Sequence, residues 1–219
     1  MTKKVLIAVT SHAEIYEGRP TGVWLSEFAE AYMDFLNQGY EISVASPLGG
    51  KAPVDPGSIG ADIKDDILAA EAYLANTAKL DEVDGEAFDA IFLPGGHGAM
   101  YDLPNHRKLQ ELLRDFYEGN KIVAAVCHGP AALTGVTLSN GLPLVAGKRV
   151  NAFTDKEEAE TALARHLPFL LESRLRELGA IFVAAPNWTS HYEEDGSLIT
   201  GQNPQSTRAV ANAIIAKLG

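Results

Sequence analysis

The chain has 219 residues, 46% of them hydrophobic and 21% charged, with a formal net charge of −11. That is enough apolar sequence for one well-buried domain, residues 1–219, and it excludes a disordered chain. An acidic average field with no Lys/Arg cluster to interrupt it excludes nucleic acid and an anionic membrane surface as partners.

The first apolar run is Val5, Leu6, Ile7, Ala8 and Val9. It is far too short to cross a bilayer, and no cleavage site follows it, so it reads as the first strand of a cytoplasmic protein. Residues 22–37 carry Leu25, Phe28, Tyr32, Phe35 and Leu36 at helical spacing and stop at Gly39. A short strand follows over 42–45, then a Gly/Pro-rich loop over 46–57 and a helical stretch over 61–76. Residues 90–93 form a third strand that ends in Pro94-Gly95-Gly96-His97-Gly98. Residues 109–118 are helical and stop at Gly119 and Asn120. Residues 122–126 form a fourth strand that enters Cys127-His128-Gly129-Pro130. Beyond it the pattern predicts a helix, a strand near 144–150, an acidic segment at 155–160 and a helix over 168–178. Strands at 181–183 and 198–200 and a closing helix over 205–218 complete the chain. The strands are continuous apolar runs, as in sheets covered on both faces. The alternation predicts a doubly wound, mostly parallel sheet of flavodoxin-like type with helices on both sides.

Cys127 is the only cysteine, so no internal disulfide forms and the thiol needs a reducing compartment or burial. In such sheets ligands bind beyond the carboxyl ends of the strands. Pro130 is a natural first-turn residue, so Cys127 is placed just before a helix through Ala131, Ala132 and Leu133. Free N–H groups there favour a thiolate and can stabilise an oxyanion. Gly96 is the natural second oxyanion donor, because no side chain blocks its N–H. Free cysteines are often inert core residues. A strand end, a helix start, an adjacent histidine and a glycine-rich neighbour argue instead for a nucleophile. His128 can act as base or acid if a carboxylate orients its ring; otherwise it is a half-buried histidine bonded to backbone. No His or Cys spacing suggests a metal, and no cofactor is implied.

Residues 124–130, Ala-Ala-Val-Cys-His-Gly-Pro, resemble the nucleophile elbow of the ThiJ/PfpI superfamily, within the class I glutamine amidotransferase-like fold. Four further segments are similar to the branch holding heat-shock-type chaperones and glutathione-independent glyoxalase III. They are residues 21–27, Thr-Gly-Val-Trp-Leu-Ser-Glu; residues 95–98; residues 147–158 around Phe153-Thr154-Asp155; and residues 200–204, Thr-Gly-Gln-Asn-Pro. The resemblance implies that Glu27 contacts the cysteine and that Glu158 is the triad acid, with Glu157 and Asp155 as close competitors. Trp188 and the Asn203-Pro204 turn are candidate pocket walls. It also implies a homodimer and a small aldehyde as substrate, methylglyoxal converted to D-lactate, in detoxification or stress response. Two alternatives remain in view: a holding chaperone or redox-responsive protein, and an amidase, peptidase or glutamine amidotransferase. The second would use His191 and Glu193, but Ala125 stands where the amidotransferase elbow prefers glycine.

Overall fold

A computed structural model describes residues 2–219. Among the described residues eleven strands occur in chain order: β1 (Lys4–Ala8), β2 (Glu14–Tyr16), β3 (Arg19–Pro20), β4 (Glu41–Ser46), β5 (Ala78–Lys79), β6 (Ala90–Leu93), β7 (Ile122–Val126), β8 (Arg149–Val150), β9 (Ile181–Phe182), β10 (Tyr192–Asp195) and β11 (Leu198–Gly201). The helices are α1 (Leu25–Asn37), α2 (Asp65–Ala69), α3 (Ala99–Asp102), α4 (Arg107–Glu118), α5 (Asp155–Thr161), α6 (Leu171–Glu177) and α7 (Thr207–Leu218). Seven strands form the main sheet in the order β10-β11-β7-β6-β1-β4-β5, parallel except for β10 at the edge. The expected flavodoxin-like, doubly wound architecture is present.

Strand periodicity sorts the core into two layers. Leu6, Ile91, Leu93, Val123 and Ala125 face α4 and α6, meeting Leu109, Leu113, Phe116 and Leu175. Val5, Ile7, Phe92, Ala124 and Val126 face α1 and α7, meeting Phe28, Phe35, Val210 and Ile214. Each fully buried Leu, Ile, Val or Phe contributes about 1.5–3 kcal/mol. That reserve outweighs the cost, about 1–3 kcal/mol, of a residue held at positive φ near the strand ends. Cys127 belongs to the α1 side of the core, which is why a carboxylate from α1 can reach it.

The differences from the sequence pattern have local causes. The segment after Cys127 is a buried 3₁₀ helix, Gly129–Gly135, not an α-helix. Glycines in backbone contact clamp both its ends, Gly129 against Leu93 and Gly135 against Pro104. The Thr134 hydroxyl donates back to the Ala131 carbonyl at 2.7 Å, which suits the tighter winding. The apolar run at 144–150 yields only β8, which pairs with β9 in a separate two-stranded sheet. The stretch at 61–76 splits into α2 and a 3₁₀ turn, Ala70–Leu74. The β2–β3 hairpin and the short β5 and α3 carry too few apolar residues to leave a periodic signal. No helix among the described residues is long and apolar enough to cross a membrane.

Candidate active site

The carboxyl ends of β1, β6 and β7 lie side by side, and the site is built on them. Cys127 follows β7 at φ +59, the left-handed region that costs a non-glycine residue energy. Two backbone bonds hold it there: its N–H donates to the Gly201 carbonyl, and its carbonyl accepts from the Phe153 N–H, each at 2.9 Å. The turn is thus a strained elbow of the kind that presents a nucleophile. Only 3% of Cys127 is exposed.

The end of β6 comes close enough for backbone-to-backbone contact. A Cβ on Gly95 would lie 2.5 Å from the His128 nitrogen. Gly96 adopts φ +97, and a Cβ there would collide with the Gly22 carbonyl. Residues 21–24 therefore lock onto this loop, with the Trp24 N–H donating to the Gly95 carbonyl at 3.0 Å. Trp24 precedes α1, so this bond fixes the first turn of that helix, where Glu27 lies.

Glu27 is fully buried. Its Oε2 accepts from the Gly95 N–H at 2.6 Å, while Oε1 has no nitrogen or oxygen partner among the described residues. The Cys127 thiol lies against this carboxyl. Burial pushes Glu27 up to about 8, against the smaller opposing pull of the Gly95 and Cys127 contacts. Burial, and the neighbouring Glu27, push the Cys127 thiol up as well. At neutral pH the pair is therefore a carboxylic acid beside a thiol. This differs from the thiolate expected at a helix start: burial of the sulfur outweighs the N–H groups of a short 3₁₀ turn.

On the other side of the thiol, His128 Nδ1 lies 3.4 Å from Sγ, and its Nε2 lies 2.7 Å from Glu158 Oε2. Glu158 Oε1 meets His97 Nε2 at 2.9 Å and accepts from the Thr161 hydroxyl at 2.7 Å. Although burial opposes ionisation, these hydrogen bonds from His128 and His97 hold Glu158 well below the usual carboxylate range. An ionised carboxylate only accepts, so His128 donates from Nε2 and turns its Nδ1 lone pair toward the sulfur. Burial and the neighbouring His97 lower His128 to about 4, so the ring is neutral at physiological pH.

The structure separates the three competing acids on α5. Glu158 reaches the imidazoles. Glu157, equally buried, faces away from the imidazoles and anchors the loop around Trp188. It accepts from the Thr154 N–H and hydroxyl, the Trp188 N–H at 2.9 Å, and the Gln202 and Asn203 side-chain amides. Asp155 accepts from the Ser173 hydroxyl and ties α5 to α6. Trp188, at φ +60, sits edge-on to Phe153 at 5.4 Å, and Phe153 packs 4.5 Å from the His128 ring. An aromatic wall thus stands behind His128. His191 lies 3.1 Å from Glu193, itself bound by Arg149, on the β10 edge, and neither bonds to Cys127 or His128.

His97 is the residue that sequence reasoning missed as a participant. Its signal was present in Gly95-Gly96-His97-Gly98, a glycine-bracketed histidine at a central strand end. His97, His128 and Glu158 also bring three ligand-type atoms within 4.8 Å of one another, a set that spacing along the chain does not reveal. The nitrogen-to-oxygen separations of 2.7 and 2.9 Å are hydrogen-bond lengths. An ion about 2.0–2.2 Å from each ligand would hold those atoms about 3.3 Å apart. As it stands, the arrangement is a proton network.

Residues 3–217 match the DJ-1/PfpI family. The glutathione-independent glyoxalase HSP31 of Saccharomyces cerevisiae is 31% identical over 226 residues, covering 95% of each chain. Among solved structures, Rapid Encystment Protein 24 KDa of Francisella tularensis superposes with a TM-score of 0.92 at 34% identity and covers 100% of both chains. Glyoxalase III of Candida albicans superposes with a TM-score of 0.89 at 30% identity, covering 98% of this chain and 96% of its own.

Proposed function

The chain belongs to the DJ-1/PfpI family, and from that premise we propose that it is a cysteine-dependent, glutathione-independent glyoxalase that converts methylglyoxal to D-lactate. One observation carries this reading: the thiol lies between a base with a free lone pair, His128, and a carboxylic acid that holds a proton, Glu27. An internal redox reaction of an α-oxoaldehyde needs that pairing and no external oxidant or reductant. The names of the relatives support the same activity.

In this reading Cys127 Sγ adds to the aldehyde carbon while His128 Nδ1 takes the thiol proton. The Glu27 carboxyl protonates the new alkoxide, giving a hemithioacetal, and the Gly96 N–H is the proposed donor to the oxygen as charge builds. Glu27, now a carboxylate, removes the proton from the same carbon. The His128 imidazolium protonates the neighbouring ketone oxygen, and an enediol results. Glu27 returns its proton to the second carbon and takes up the hydroxyl proton of the first, leaving a lactoyl thioester on Cys127 with Glu27 again a carboxylic acid. Water, activated by His128, cleaves the thioester and restores the thiol. The balance is one methylglyoxal plus one water to one lactate and one proton. The reading extends to a homodimer in the cytoplasm serving detoxification or stress response.

The test is incubation with methylglyoxal in the absence of glutathione, with lactate read by an enantiomer-specific assay. Wild type forms D-lactate, while Cys127→Ala and Glu27→Gln lose it. An undiminished rate in Cys127→Ala would overturn the reading.

A further inference from the structure

We propose that His97 is a positioning residue for the chemistry at Cys127: it donates to the second oxygen of Glu158, fixes that carboxylate against His128, and so keeps the His128 Nδ1 lone pair turned to the sulfur. The role of Cys127 rests on the glyoxalase reading; the control of His128 by His97 does not.

The geometry shows one carboxylate shared by two imidazoles. Oε2 faces His128 and Oε1 faces His97, and the two rings lie 4.2 Å apart. All three side chains are buried. They arrive from separate elements: His97 from the loop after β6, His128 from the elbow after β7, and Glu158 from α5. A carboxylate bound on one oxygen alone can rotate away from its histidine. Here the Thr161 hydroxyl and His97 occupy Oε1, so Oε2 stays aimed at His128.

The second consequence is electrostatic. One carboxylate can neutralise one imidazolium, and a proton on either ring raises the cost of a second proton 4.2 Å away. The groups facing His128 are the Cys127 thiol from the elbow, Glu158 and the more distant Glu157 from α5, and His97 from the β6 loop. Phe153 closes the remaining side without charge, and Glu27 of α1 acts on the thiol. Among these, His97 is the group that opposes a proton on His128. A neutral His128 is what accepts the thiol proton.

Two variants separate holding from packing. His97→Gln puts an amide N–H where the Nε2–H stood; His97→Phe keeps the ring and removes the donor. Nitrogen-15 histidine NMR follows the protonation of His128, and the pH profile of kcat/KM for methylglyoxal follows turnover. Both variants should protonate His128 about one pH unit or more higher than wild type, moving the acid limb of the profile with it. His97→Phe should lose about tenfold or more at the optimum, and His97→Gln should recover most of that loss. A His128 titration that coincides in all three proteins overturns the inference, as does an equal loss in both variants with an unmoved acid limb. Should His97→Phe fail to fold, His97→Gln against wild type decides by the same titration. Absence of methylglyoxal turnover in wild type would sink the glyoxalase reading alone, because the NMR titration still reads the coupling.

Discussion

Two buried glutamates flank one thiol, and they carry opposite charge states. Glu27, on the α1 side, has one N–H donor and otherwise only the thiol against it, and it holds its proton up to about 8. Glu158, on the α5 side, is nearly as buried, yet three side-chain contacts keep it ionised. Burial alone pushes both carboxyls the same way. The number of donors aimed at each one decides the outcome. The same residue type in two settings thus places a proton on one face of the thiol and a charge-oriented imidazole on the other.

The comparison can be broken at its centre first. Cys127→Ala removes the group between the two carboxyls and should lower lactate formation about ten-thousand-fold, with the circular dichroism spectrum unchanged. Retained turnover would mean that neither glutamate serves this thiol. Glu158→Gln comes next. It withdraws the charge that orients two imidazoles, and kcat/KM for methylglyoxal should fall about 10²- to 10⁴-fold. The third test is Glu27→Gln, which keeps an acceptor for the Gly95 N–H but supplies no acid; a loss of about 10²-fold is expected. A basic limb near pH 8 in the wild-type profile should vanish in this variant, and a persistent limb would assign it elsewhere.

The same variant sharpens the comparison through stability. Glu27 is raised in the folded state, so its contribution is full below pH 4.5 and is lost as pH rises through 8. His128 is lowered, so its contribution is full above 6.5 and is lost as pH falls toward 4. Each contribution is on the order of a few kcal/mol in total. Glu27→Gln should therefore move the pH of greatest stability upward, as read by chemical denaturation across pH 4–9. The smallest catalytic effect is expected of Glu157→Gln. The buried acceptor of the Trp188 loop loses its charge, costing about 2–3 kcal/mol of stability but less than tenfold in turnover.

The frame of the site was legible in the sequence because it rests on backbone demands. A strand running into Cys127-His128-Gly129-Pro130 and a glycine pair at 95 and 96 announce close approach of two strand ends, and the main sheet follows from its apolar runs. The wiring was not legible. Glu157 and Glu158 are adjacent on α5, and their roughly 100° separation about the helix axis sends one to a loop and the other to the imidazoles. No local pattern distinguishes them, since both are acidic residues in a first turn. The winding of the segment after Cys127 was hidden for the same kind of reason. It depends on contacts with Leu93 and Pro104, more than twenty residues earlier in the chain. Glu27 could be named through family resemblance, and a carboxyl placed beside a thiolate is expected to hold its proton; that burial does most of the raising shows only in the fold.

The charge on Glu158 also bears on the proposed substrate and product. An uncharged oxoaldehyde, the substrate we propose, would reach Cys127 without having to cancel that charge. On that reading the product, lactate, is an anion released on the far side of the His128 ring from its carboxylate partner, in a protein whose net charge is −11. Like charges in a poorly hydrated space repel strongly. On the glyoxalase reading we propose, the carboxylate that steadies the base would also hasten release of the anionic product.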